Sequence, residues 1–195
     1  MSLALHGLLL AAGAGRRYGG PKALARDPDG TSWLLRSVAA LRPCREVTVV
    51  LGAEAEAAAA LLPMSVNRVL ARDWADGMGA SLRAGLDYLI GNDSESVAAL
   101  VSLVDLPDVG LEVTARLRQR VLDAAETAGA PEELLLRAAY DGVAGHPVVL
   151  GRAHWAGVAA SASGDRGARD YLAAQPDRVE LVECGDLATG ADRDR

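Results

Sequence analysis

Leu8-Leu9-Leu10-Ala11-Ala12-Gly13-Ala14-Gly15-Arg16-Arg17-Tyr18-Gly19-Gly20-Pro21-Lys22 is the stretch whose reading decides the fold. Three leucines make a buried strand, and the glycine-rich run behind them is a loop that can curl successive backbone N–H groups onto an anion. Arg16, Arg17 and Lys22 add positive charge to it. Lys22 is the only lysine in the chain, every other basic residue being arginine. Lys is a compact point charge and Arg a planar fork, so its retention marks a place where geometry matters. A strand that runs into such a cradle is the opening of an α/β sheet, in which ligands gather beyond the carboxyl ends of the strands. The loop is not a Walker loop, because Pro21 precedes Lys22 and Ala23 stands where the cation-binding Ser or Thr belongs. It also fails the dinucleotide GxGxxG pattern, with Tyr18 in place of the third glycine.

Working outward, short apolar runs alternate with helix-length periodic ones, the pattern of βαβ units and a mainly parallel sheet. Thr31 is the expected N-cap of a helix carrying Leu34, Val38 and Leu41 and ended by Pro43. Val47 to Leu51 reads as a strand, Ala53 to Leu62 as a helix, Val66 to Leu70 as a third strand and Arg72 to Gly77 as a loop. Met78, Leu82, Leu86 and Leu89 share one helix face, closed by a turn at Gly91 and Asn92. Val97 to Val104 is almost continuously apolar, as expected for a strand covered on both faces, and is placed at the sheet centre. A further helix carries Val113, Leu117, Val121 and Ala124 and breaks at Gly129 and Pro131. Leu134 to Tyr140 and Val148 to Leu150 are strands connected through Asp141-Gly142 and Gly145-His146-Pro147, either as a hairpin or as a separate antiparallel strand, so the parallel pattern becomes mixed. Arg169 to Ala174 is helical and Val179 to Val182 is the last strand. One domain spans 1–195, with 185–195 expected to fray.

With 195 residues, half of them hydrophobic, the chain can bury a full core without disulfides or a structural metal. Cys44 and Cys184 lie in no CxxC or Cys/His cluster, which disfavours a disulfide scaffold, a zinc ribbon or a thioredoxin-type site and fits a reducing compartment. The net charge of -6 and the lack of a basic block argue against a nucleic-acid partner. Met1 to Leu10 has no basic leader and too short an apolar run to span a bilayer, so a cytoplasmic protein with no membrane partner is expected.

Four more segments carry chemistry. Asp105 ends the central strand, where a carboxylate can hold Mg²⁺ against nucleotide phosphates; the plainer alternative is a turn cap. Gly77-Met-Gly-Ala-Ser81 opens a helix whose free N–H groups suit a base or phosphate, or is simply a surface helix with Trp74 as a lid. His146 offers one titratable group in a shaped turn. Gly164-Asp165-Arg166-Gly167-Ala168-Arg169 is a second candidate phosphate turn or a plain helix start. His6, Tyr140, His154 and Trp155 read as packing residues.

In this order these segments resemble the MobA-like NTP transferase family, above all its molybdenum cofactor cytidylyltransferase branch. The resemblance is carried by Leu10-Ala-Ala-Gly13-x-Gly15-x-Arg17-x-Gly19-x-Pro21-Lys22, Gly77-Met-Gly-x-Ser81-Leu-x-x-Gly85, Asp105-Leu-Pro107, Gly145-His-Pro147 and Gly164-Asp-x-Gly-Ala-Arg169. It implies a three-layer α/β, Rossmann-like nucleotidyltransferase fold with a mainly parallel mixed sheet. It further implies transfer of CMP from CTP to the phosphate of a molybdopterin-type cofactor, with Mg²⁺ and release of pyrophosphate. By the same resemblance Leu10, Ala11, Ala12, Gly13, Gly15, Gly77 and Ser81 line the nucleotide, Arg17 and Lys22 hold its triphosphate, and Asp105 holds the metal. His146, Asp165 and Arg169 face the acceptor, and a molybdoenzyme or chaperone receives the product. The family's late Asp-x-Asp-Thr-Pro run is broken here: Ala188 stands at a metal-ligand position, and Asp186 is the nearest substitute. That departure favours a second possibility, a repurposed member. Some sequences resembling this branch are described as NAD(P)H-dependent oxidoreductases of the nicotine-blue type, and a nucleotide-binding protein without transferase activity is the other form.

Overall fold

The computed structural model describes residues 3–193. Strand β1 (Ala4–Ala11) is buried along its whole length and lies between β2 (Glu46–Leu51) and β4 (Ser96–Leu103), with β3 (Asn67–Leu70) outside β2. These four are parallel. The hairpin of β5 (Leu135–Tyr140) and β6 (Val143–Gly151) then docks antiparallel on β4, and β7 (Val179–Glu183) returns parallel to β5. The order β3-β2-β1-β4-β6-β5-β7 makes β4 the middle strand, as its unbroken apolar run requires.

Alternation along β1 sorts the core into two faces. Leu5 and Leu9 point to one, with Val49, Leu100 and Leu136, covered by α1 (Trp33–Ala40), α2 (Ala55–Leu61) and α4 (Leu111–Ala128). Leu8 and Leu10 point to the other, with Val50, Val101 and Leu150, covered by α3 (Met78–Asn92), α5 (Trp155–Ser161) and α6 (Arg169–Ala173). The result is the expected three-layer α/β, Rossmann-like sandwich. On the second face α3 comes close because Gly85 has no side chain: a Cβ there would meet the Leu8 and Val50 side chains at 2.8 and 2.9 Å.

Several boundaries differ from expectation for local reasons. Ser32, not Thr31, caps α1, its hydroxyl accepting from the Leu35 N–H at 3.4 Å. Helix α3 runs through Gly91 and Asn92, because the stop is Asp93, whose carboxylate gathers the Glu95 and Ser96 N–H groups at 3.0 Å. The loop at 72–77 contains a 3-10 turn, Trp74–Asp76. Asp141 and Gly142, with φ of 51° and 79°, form the whole hairpin turn, which leaves Gly145-His146-Pro147 inside β6 rather than in a connection. Pro147 is tolerated there because the β5–β6 register slips between Arg137 and Ala139, next to it. Helix α5 forms over a stretch in which the sequence pattern shows no helix.

The tail expected to fray is tied down. Thr189 donates its N–H and hydroxyl to Asp108 Oδ2, both at 2.6 Å, and the Arg193 N–H donates to the Asp105 carbonyl at 3.0 Å. The Arg193 side chain reaches Asp27 Oδ1 at 2.5 Å. Asp194 and Arg195 lie outside the described residues, as do Met1 and Ser2. Among the described residues no helix is long and apolar enough to cross a membrane.

Candidate active site

Strand β1 feeds directly into the glycine loop. The Ala12 carbonyl accepts from the Ala53 N–H at 2.9 Å, tying the start of the loop to the end of β2. Gly15 has φ of 58°, and its carbonyl accepts the N–H groups of Gly19 at 2.9 Å and Gly20 at 3.2 Å. A Cβ on Gly15 would run into the Gly20 carbonyl, so this closure needs glycine. Lys22 then opens a 3-10 turn, Lys22–Leu24, that returns its ammonium to the crevice 2.7 Å from Asp105 Oδ2. The two groups meet because β1 and β4 are parallel neighbours, Leu10 opposite Leu103, so both chains leave the sheet at one end. The second oxygen of Asp105, Oδ1, is buried and accepts no hydrogen bond among the described residues. A buried carboxylate oxygen without a donor is a standing energetic penalty unless a cation or donor meets it.

The opposite wall is the start of α3. Gly77 precedes it at φ of 110°, and a Cβ there would meet the Gly164 carbonyl group at 2.6 Å and Asp165 Oδ1 at 2.7 Å. The helix start and the 164–167 turn are therefore in direct contact. Between these walls lies a crevice of about 530 Å³. Leu10, Ala11, Ala12, Gly13, Gly15, Arg17, Lys22, Gly77, Ser81 and Asp105 all line it, joined by Arg16, Trp74 and Asp165.

A smaller cavity of about 70 Å³ adjoins it, sharing Leu10 and Met78 as walls and lined on its polar side by Arg137, His146, Arg166 and Arg169. Burial, together with the charges of Arg137 and Arg169, holds the His146 imidazole down to about 4 despite the Asp105 carboxylate, so it is neutral near pH 7. The Tyr140 hydroxyl donates to the His146 carbonyl at 2.7 Å and pins β6 at that point.

Chemically, the large crevice offers three cations, two carboxylates and a curled backbone at the mouth of a sheet. That is equipment for aligning and neutralising a polyphosphate rather than for covalent catalysis.

The structure separates some residues that the sequence grouped. Asp165, assigned to the acceptor side, lines the large crevice and not the cavity holding His146 and Arg169. Asp186 does not join Asp105 around a cation. Both its oxygens are taken by Arg116 of α4, at 2.5 and 2.8 Å, and it lines neither cavity. Among the described residues no three His, Cys, Asp or Glu side chains converge as a ready metal site. Sequence reasoning missed Arg137, although one arginine in the apolar run Leu134-Leu135-Leu136-Arg137-Ala138-Ala139 was a visible signal.

A family model, the MobA-like NTP transferase domain, matches residues 7–179. The chain is 36% identical over 200 residues to nicotine blue oxidoreductase of Paenarthrobacter nicotinovorans, covering 96% of this chain and 91% of that protein. It is also 36% identical over 110 residues to a probable molybdenum cofactor guanylyltransferase of Rhodopirellula baltica, covering 55% of this chain and 51% of that one. Among solved structures, Rv0371C of Mycobacterium tuberculosis H37Rv in complex with manganese superposes with a TM-score of 0.73 at 22% identity, over 97% of this chain and 94% of that one, a likeness of fold. A cradle, a strand-end carboxylate and a motif series that one family model follows across nearly the whole sheet have a common explanation: the chain belongs to the MobA-like NTP transferase family and is of the nucleotidyltransferase class.

Proposed function

We propose that the chain transfers CMP from CTP to the phosphate of a molybdopterin-type acceptor, with Mg²⁺ and release of pyrophosphate. The observation that carries this reading is Asp105, one oxygen 2.7 Å from Lys22 and the other buried without a donor at the crevice mouth. Asp105 Oδ1 is the atom that would hold Mg²⁺, and one carboxylate is enough because that ion completes its shell with phosphate oxygens and water. When bound, the ion neutralises charge on the polyphosphate. The residues of the chain do the rest. The curled backbone from Gly13 to Gly20 and the side chains of Arg17 and Lys22 grip the triphosphate, and the Gly77–Ser81 helix start holds the nucleoside. An acceptor phosphate oxygen forms a bond to the α-phosphorus as the bond from that phosphorus to the β-phosphate bridging oxygen breaks. Pyrophosphate leaves, its charge met by Lys22. Choice of cytosine rests on the likeness of Leu10-Ala11-Ala12-Gly13 to the cytidylyl branch. Cys44 and Cys184, both free and buried, support a reducing, cytoplasmic setting, where a molybdoenzyme or its chaperone would take the product.

A thermal-shift panel of CTP, GTP, ATP, UTP and NADPH, each with and without Mg²⁺, tests the reading. A ligand at a hundred times its Kd stabilises a fold by about 2.7 kcal/mol. A CTP shift that requires Mg²⁺, followed by pyrophosphate release with a molybdopterin acceptor, is the expected result. A shift with NADPH alone would overturn it. That outcome belongs to a second reading, an oxidoreductase of the nicotine-blue type, which is favoured by the 36% identity over 96% of the chain to a protein of that name.

A further inference from the structure

The small cavity is lined by three arginines, a half-buried histidine and apolar residues, and no aspartate or glutamate is among its lining residues, although the chain carries a net charge of -6. Arg137 is its innermost cation. It stands on β5, a strand otherwise apolar, opposite Val148 of β6. Its Nη2 donates to the Ala144 carbonyl at 3.3 Å, while its Nε is buried with no hydrogen-bond partner among the described residues. Burial, then the like charge of Arg169, lower its pKa. A half-buried guanidinium with an unmet donor beside another guanidinium lowers stability, and residues kept at such a disadvantage are characteristic of binding sites.

Resting on the transfer reading above, we infer that Arg137 and Arg169 form the seat for a compact anionic group of the acceptor, its phosphate monoester, separate from the cradle that grips the nucleotide. Size sets the class of ligand. One water needs about 10–15 Å³ of such space, so about 70 Å³ takes a compact group of about five to seven heavy atoms, the size of a phosphate. Position sets the role. The cavity shares Leu10 and Met78 with the nucleotide crevice, and the His146 imidazole on its wall feels the charges of Arg137, Arg169 and Asp105 alike, so an anion held here lies beside the reacting end of the nucleotide. His146, held neutral, adds no charge of its own. The fork of Arg137 supplies the directed donors that a phosphate requires.

Inorganic phosphate is the probe. It is titrated by calorimetry into the wild type, Arg17→Met and Arg137→Met, with Tm recorded for each and Arg137→Lys as the conservative variant. The wild type should bind a phosphate that Arg17→Met keeps and Arg137→Met weakens about tenfold or more, the size of a lost charge-assisted hydrogen bond. The Tm of Arg137→Met should equal or exceed that of the wild type, because an unmet buried donor has been removed, and Arg137→Lys should recover part of the affinity. No phosphate binding to the wild type, or an unchanged isotherm in Arg137→Met, overturns the seat. A Tm several degrees lower in Arg137→Met also overturns it, whatever the titration shows, because Arg137 is then a packing residue. These outcomes are independent of the nucleotide panel: failure of CTP to bind defeats the transfer reading, whereas failure of Arg137→Met to lose phosphate defeats only the seat.

Discussion

Lys22 and Asp105 each depend on the other's place in the sheet, and substitution of either should be felt in chemistry more than in folding. Lys22→Ala is expected to reduce pyrophosphate release about a hundredfold or more, the usual effect of removing one preorganised charge from a transferring phosphate. Asp105→Asn should lower activity with a shift to higher Mg²⁺ requirement; a Mg²⁺ titration of the wild type and variant that superimposes would remove Asp105 from the metal role. His146 makes a different prediction. Its folded pKa of about 4 lies below the ordinary 6.5, so the unfolded chain takes up the proton first as pH falls. Stability is therefore full above about pH 6.5 and declines toward pH 4, by at most about 3 kcal/mol. Urea unfolding across that range should show the slope, and His146→Gln should flatten it. At this scale the sequence was informative wherever one residue broke a local bias, as with the lone lysine. It misled at Asp186, where chain proximity to a family motif stood in for spatial proximity to Asp105, and the carboxylate turned to Arg116 instead.

Elements that read clearly did so because their periodicity matched their burial. The apolar run that becomes β4 is buried on both faces at the middle of the sheet, and α4 carries its predicted stripe of Val113, Leu117 and Val121 into one core layer. Helix α5 escaped because seven residues, Trp-Ala-Gly-Val-Ala-Ala-Ser, are too few and too small to show a stripe; tertiary packing against α3 makes it a helix. The join between α3 and β4 is stabilised by Asp93. Burial pushes its carboxyl up, but hydrogen bonds from Ser96, Glu95 and His6 outweigh that and hold it well below the usual carboxylate range. His6, itself buried, bonds Asp93 at 2.7 Å and Thr48 at 2.8 Å, and the Arg152 side chain donates to the Asp93 carbonyl at 2.7 Å. Asp93→Ala should destabilise the fold by about 2 kcal/mol or more, since it strips partners from a buried His. Because the folded pKa is depressed, this contribution is present above the ordinary Asp value and disappears as acid protonates the group; the variant and wild type should converge in stability at low pH. At the other end of α3, Gly77→Ala meets both a positive φ and the Gly164 carbonyl group, so it should weaken nucleotide-induced stabilisation and displace the 164–167 turn, visible as new protease sensitivity there.

The sheet as a whole is two half-sheets paired along one seam. β3-β2-β1-β4 comes from the first 103 residues, β6-β5-β7 from residue 135 onward, and the strands of the two pair at four positions, Ala98 to Val101 against Gly151 to Val148, while α3 on α5 and Thr189 on Asp108 join the halves outside the sheet. The alternating pattern of sequence made the parallel half legible; the seam was not, since antiparallel docking of a hairpin depends on a register no local signal specifies. Fragments 1–129 and 130–195, separated in the exposed stretch after α4, should therefore reassemble when mixed, as judged by a single cooperative unfolding transition. Two independent transitions would show that the seam cannot hold them. Asp165 excepted, the polar groups of the cradle lie before Gly129, while Arg137, His146, Arg166 and Arg169 lie after it. On the proposed transfer, gene exchange or drift confined to the second half would swap what receives the nucleotide and leave the residues assigned to its phosphates unchanged, an architecture in which one lineage tries new chemistry without surrendering its old co-substrate.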